Sequence, residues 1–130
     1  NILKAVRGFC AGRIIAVFGC GGDRDPYKRP VMGKIAAELA DLAIVTSDNP
    51  RTEDPYKILR QILAGMQDTE TPYEVIESRV SAIGRAMELA QKDDVIVLCG
   101  KGHETYQEIG HEKHHLDERE VVASYLEAKA

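Results

Sequence analysis

A doubly wound α/β fold with a mostly parallel sheet is what this sequence predicts, on three observations. Four short runs rich in β-branched residues recur along the chain, and amphipathic segments of helical period separate them. No internal repeat or low-complexity linker breaks the alternation. A length of 130 residues with 44% hydrophobic content suits a single core, because globular domains cluster at roughly 100 to 150 residues.

The runs at 14–18, 43–46, 73–76 and 95–99 read as buried strands. Between them, segments at about 31–41, 55–66 and 79–92 carry apolar stripes: Ile35, Leu39 and Leu42, then Ile58, Ile62 and Leu63, then Ile83, Met87 and Ala90. Strand alternating with helix implies right-handed crossovers and a Rossmann-like sheet with helices on both faces. After the fourth run the rhythm changes. Residues 105–109 and 113–116 flank Gly110-His111, which predicts a hairpin adding an antiparallel edge to the sheet. A last helix is expected from about Asp117, whose carboxylate caps free amides with Glu120 three residues on, and which packs Val121, Val122, Tyr125 and Leu126 inward. The chain opens without Met on apolar residues already at helical spacing, so residues 1–130 read as one module of a multidomain protein.

Composition excludes several classes of partner. With 17 basic and 21 acidic residues the net charge is −4, which gives no general attraction to nucleic acid or anionic lipid. There is no apolar run near the ~20 residues of a membrane span and no signal-peptide pattern, so a soluble cytoplasmic protein is expected. Cys10, Cys20 and Cys99 are odd in number and lack Cys-x-x-Cys spacing, which predicts free thiols rather than disulfides or a zinc site.

Ligands of open parallel sheets bind beyond the carboxyl ends of the strands, so the residues after each run carry the functional reading. The first is followed by Gly19-Cys20-Gly21-Gly22-Asp23-Arg24-Asp25, the second by Asp48-Asn49-Pro50-Arg51, and the fourth by Gly100-Lys101-Gly102-His103-Glu104; nothing similar follows the third. In the first loop the glycines allow close backbone approach, but Arg24 breaks a Gly-x-Gly-x-x-Gly fingerprint, and Gly33-Lys34-Ile35 is not a P-loop. A dinucleotide-dependent dehydrogenase is disfavoured on that ground. In the second loop Pro50 stiffens the turn that presents Asn49 and Arg51. A guanidinium fork suits a carboxylate, and an asparagine amide can both donate to a carboxylate and accept from an ammonium, so the pair suits the zwitterionic end of an amino acid. Ordinary turn chemistry and a solvated Arg51 are the alternative. In the third loop Glu104 can meet an ammonium, while Lys101 and His103 stay ambiguous. A metal site on His103, His111, His114 and His115 is not expected, since adjacent His114 and His115 point to opposite faces of a strand.

Taken together and in order, these loops resemble the Mur ligases that add the third residue of the peptidoglycan stem peptide. The likeness covers nearly the whole chain and rests on 17–25, on Lys28-Arg29-Pro30 with Met32-Gly33, on Asp48-Asn49-Pro50-Arg51-Thr52-Glu53, on Gly100 to Glu104, and on Leu116-Asp117-Glu118-Arg119-Glu120. The resemblance implies the C-terminal domain of a three-domain enzyme, with the UDP-sugar domain and the ATPase domain elsewhere. ATP, with Mg2+, phosphorylates the terminal carboxylate of UDP-MurNAc-dipeptide, and the amine of meso-diaminopimelate attacks the acyl phosphate. By likeness, Asn49, Pro50 and Arg51 grip the carboxylate that lysine lacks and Arg24 the amino acid's other carboxylate. Gly100 and Glu104 meet the distal ammonium or neighbouring groups, Asp23 the ribose of ATP, and Lys28 and Arg29 aid the nucleotide. No catalytic residue, P-loop or magnesium-binding carboxylate set is expected in this domain, which alone should be inactive and monomeric. A stand-alone nucleotide- or amino-acid-binding regulatory module is the competing reading.

Overall fold

A computed structural model describes residues 2–100 and 104–129. Along the chain run α1 (Ile2–Arg7), β1 (Ile14–Phe18), α2 (Lys28–Leu39), β2 (Leu42–Val45), α3 (Pro55–Ala64), β3 (Tyr73–Val75), α4 (Arg79–Leu89), β4 (Val95–Leu98), β5 (Tyr106–Ile109), β6 (Glu112–His115) and α5 (Glu118–Lys129). β1 to β4 form one parallel sheet in the order β3-β2-β1-β4. The chain builds outward from β1 to β3 and then crosses back to lay β4 on the other side of β1. That reversal is the topological switch point, where the carboxyl ends of β1 and β4 open a crevice.

The two-residue period of the strands assigns the faces. Ile14, Ala16 and Phe18 of β1, with Ala43 and Val45 of β2, pack under α1, α2 and α3; Ile15, Val17, Leu42 and Ile44 meet Ala82, Ile83 and Met87 of α4 and Val121 and Tyr125 of α5. All of β1 and β2 is buried, as expected for strands covered on both sides. β3 departs from the expectation of a buried strand: it is an edge strand, with Tyr73 and Val75 exposed.

Helix ends follow local chemistry. α2 begins at Lys28, ahead of its apolar stripe, because Pro30 falls in the first turn, where a missing N–H has no partner to lose. Asp54 caps α3 by accepting from Tyr56 N–H at 3.0 Å, with Pro55 next in line. Ser78 caps α4 through Ser81 N–H at 3.2 Å. Beyond α4, Asp94 accepts from the N–H groups of Gln91 and Arg13 and from the Arg13 guanidinium, which together hold its carboxyl down to about 2 and tie the start of β4 to the start of β1. Asp117 does cap α5, accepting from Arg119 N–H at 3.0 Å, but Glu120 does not close a capping box; it turns to His115 Nε2 at 2.8 Å.

The hairpin forms about Gly110, whose φ of +62° suits glycine, but β5 and β6 make a two-stranded sheet of their own rather than an edge of the main one. The outer side of β5 is taken by the loop after β2, in a bridge between Arg51 and Ile109. No helix among the described residues is long and apolar enough to cross a membrane.

Candidate functional site

The loops after β1, β2 and β4 meet over the switch point, and the loop after β2 is the hub. Gly22 N–H donates to Asn49 O at 2.7 Å, and a Cβ built on Gly22 would collide with the Pro50 carbonyl. The first loop therefore needs glycine for close approach to the Asn49-Pro50 turn. Gly22→Ala is expected to force the two apart at about 1–3 kcal/mol, read as a lowered urea midpoint. Asp23, at φ +54°, completes the join: its N–H donates to Glu53 Oε1 at 2.7 Å and its carboxylate accepts from Thr52 Oγ1 at 2.6 Å.

Asn49 is buried. Its Nδ2 donates to Glu104 Oε1 at 3.3 Å and its Oδ1 accepts from Glu108 N–H at 2.8 Å, so one amide joins the third loop and the hairpin to the turn. Arg51 sits at φ +51°, a conformation uncommon for a residue with a side chain, and the surroundings hold it there. Its N–H donates to Glu108 O at 3.1 Å and its carbonyl accepts from Gly110 N–H at 2.6 Å. Its Nε donates to Glu108 Oε2 at 2.7 Å and its Nη1 to Gly22 O at 3.0 Å. Gly100 takes φ +106°, which a side chain would strain, and lies near Gly19 O and the Asp48 carboxylate. Lys101 and His103 lie outside the described residues.

The residues expected to hold an amino acid are thus brought together at one rim: Asn49, Pro50 and Arg51 in the turn, Glu104 bonded to Asn49, and Gly100 beside Asp48. Arg24 is exposed next to them, and its Nη1 donates to the neighbouring Asp23 carbonyl at 3.2 Å. Gly19, Gly21, Arg24, Lys28, Asp48 and Gly100 line a crevice of about 380 Å³ at this edge. A separate groove lined by Ile2, Leu3, Met32 and Ile35 is almost wholly apolar and has nothing to recognise a zwitterion.

Arg29, expected beside the nucleotide, backs the same crevice but is 1% exposed, with Nη1 on Glu53 Oε2 (2.9 Å) and Gln61 Oε1 (2.6 Å) and Nη2 on Glu53 Oε1 (2.8 Å) and Gly21 O (2.9 Å). This guanidinium holds the first loop against the second from inside. The Arg29 fork pulls the Glu53 carboxyl down to about 2. Lys28, by contrast, is exposed on the crevice wall.

A second buried arginine escaped the sequence reading. Arg79 donates Nε to Glu118 Oε2 at 2.7 Å, Nη1 to Ser47 O at 3.3 Å and Nη2 to Cys99 O at 2.8 Å, so it fastens the ends of β2 and β4 to the start of α5. Nothing in its sequence neighbourhood separates it from a surface arginine at a helix start. All three cysteines are free thiols, and burial pushes Cys20 up to about 11, which keeps it protonated and unreactive.

Fold and rim define the class. Residues 1–102 match the family model described as "Mur ligase, glutamate ligase domain", and the chain belongs to that family. It is 65% identical over 126 residues to the UDP-N-acetylmuramoyl-L-alanyl-D-glutamate--2,6-diaminopimelate ligase of Trichormus variabilis, covering 97% of this chain and 25% of the relative. The ligase of the same name from Clostridioides difficile is 54% identical over 126 residues, covering 97% and 26%. A solved structure of a ligase so named superposes with a TM-score of 0.94 at 42% identity, covering 98% of this chain and 26% of that one. The chain therefore spans about a quarter of the length of these relatives.

Proposed function

We propose that this chain is the C-terminal domain of an ATP-dependent ligase that adds meso-diaminopimelate to UDP-MurNAc-L-Ala-D-Glu, and that it binds and orients the incoming amino acid. The observation that carries the reading is the convergence of Arg51, Asn49 and Glu104 on one turn at the switch-point rim. Arg51, its Nε and Nη1 held by Glu108 and Gly22, offers Nη2 to the carboxylate by which meso-diaminopimelate exceeds lysine, and Glu104, steadied by Asn49, faces the ammonium beside it. Arg24, exposed beside them, takes the amino acid's other carboxylate. Held at both ends, the amino acid loses the freedom that a bimolecular encounter would otherwise have to remove, and its reactive amine is fixed for attack.

The chemistry of bond formation belongs to the rest of the polypeptide. There, ATP transfers its terminal phosphoryl group to the dipeptide carboxylate, and the amine displaces phosphate from the acyl phosphate to leave an amide. In this reading Mg2+ is held with ATP by the rest of the polypeptide. Lys28, exposed on the crevice wall, and Asp23, exposed in the loop after β1, meet the nucleotide when the domains close. Full-length enzyme is expected to use meso-diaminopimelate at least a hundredfold better in kcat/KM than lysine, measured by phosphate release with both. Comparable use of lysine would sink the assignment.

A further inference from the structure

Recognition by Arg51 requires its guanidinium to be held in one orientation before the substrate arrives. Fixing an arginine costs it rotamer entropy, and a site that fixes it only on binding sacrifices affinity. Here the fixing is built in. Glu108 Oε2 accepts from Nε and Gly22 O from Nη1, while Nη2 makes no hydrogen bond among the described residues. The Arg51 and Glu108 side chains keep 19% and 26% exposure, so the pair sits at the mouth of the site and not sealed beneath it.

Glu108 is itself anchored by its main chain. Its N–H donates to Asn49 Oδ1 at 2.8 Å and its carbonyl accepts from Arg51 N–H at 3.1 Å. Its neighbour Gln107 donates Nε2 to Asp48 O at 2.6 Å. Strand β5 thus registers the turn at residues 48, 49 and 51, and the carboxylate that orients Arg51 comes from the strand that sets the turn's backbone.

We propose that Glu108 is a positioning residue for Arg51, pre-setting the guanidinium for the carboxylate of the incoming amino acid. The inference rests on the amino-acid-binding reading above. Glu108 touches no substrate and acts only through Arg51. This accounts for the detached hairpin: β5 serves the turn after β2 rather than extending the main sheet.

Steady-state kinetics of the full-length enzyme test the role. Glu108→Ala is expected to raise the KM for meso-diaminopimelate at least fivefold, with kcat and the KM for ATP within twofold of wild type. Glu108→Gln, whose amide oxygen still accepts from Nε, should recover most of that loss. Adding Glu108→Ala to Arg51→Ala should cause less than a further twofold loss. A rise below fivefold for Glu108→Ala, an equal rise for Glu108→Gln, a parallel rise in the KM for ATP, or a further loss of twofold or more in the double variant overturns the proposal. Should the alanine variant not fold, Glu108→Thr, which suits a strand, takes its place under the same thresholds. If wild type does not use meso-diaminopimelate, or Arg51→Ala leaves its use intact, the functional reading itself has failed. If Arg51→Ala abolishes it and Glu108→Ala does not, only the positioning role has.

Discussion

Arg51→Ala in the full-length enzyme is expected to lower kcat/KM for meso-diaminopimelate by roughly two to three orders of magnitude while the KM for ATP stays within about threefold. The magnitude follows from removing one partner of a hydrogen-bonded charge pair, which costs about 2–5 kcal/mol, with each 1.4 kcal/mol worth a factor of ten. Arg51→Lys should fall between, because an ammonium keeps the charge and loses the fork. Two features make the loss specific. The side chain projects from a turn whose backbone is fixed by Asn49, Gly22 and the hairpin, so truncating it leaves those bonds in place. Its charge is also partly balanced by Glu108, so the variant leaves a carboxylate at the mouth that repels the substrate's own. Saturation kinetics with each substrate varied in turn check the split, and matched losses for amino acid and ATP would count against a recognition role.

How much of this was legible in the sequence depends on the range of the forces involved. The parallel sheet was legible because β-branched runs and helical stripes are local patterns, and the rim because loops after parallel strands must share one edge. Asn49 and Arg51 stood out since Pro50 stiffens their turn. Three contacts were not legible, all between residues far apart in the chain. Arg29 reads with Lys28 as an aid to the nucleotide, yet burial and a fork onto Glu53, twenty-four residues on, make it a clamp. Arg79 and Glu118 are thirty-nine residues apart and pair only once α5 packs on α4. Glu108 reads as the polar position of a hairpin strand, and the expectation of a sheet edge hid its partner, because only the detached hairpin turns β5 toward Arg51.

The buried clamp gives the largest expected effect on stability. Glu53→Ala leaves the Arg29 charge 1% exposed with Gln61 and the Gly21 carbonyl as its remaining partners among the described residues, and such uncompensated charges cost about 3–5 kcal/mol. That is a large share of the roughly 5–15 kcal/mol of a typical domain, so urea unfolding of the 130-residue chain should show a much lower midpoint. The double variant Arg29→Met/Glu53→Gln, which removes the orphaned charge as well, should regain more than half of the loss. Linkage gives an independent check. Glu53 titrates near 4.5 when unfolded and at about 2 in the clamp, so its contribution is complete above 4.5 and disappears as pH falls toward 2. Glu53→Gln should flatten the acid limb of stability against pH, though not abolish it, since Asp94 is also held at about 2. Because the clamp seats the first loop against the turn bearing Asn49 and Arg51, partial acid opening should loosen this rim before the sheet unfolds. Hydrogen exchange would then show Gly22 N–H, bonded to Asn49 O, losing protection at higher pH than the amides of β1 and β2. Simultaneous loss would mean that the clamp is part of the core and not a local fastening of the site.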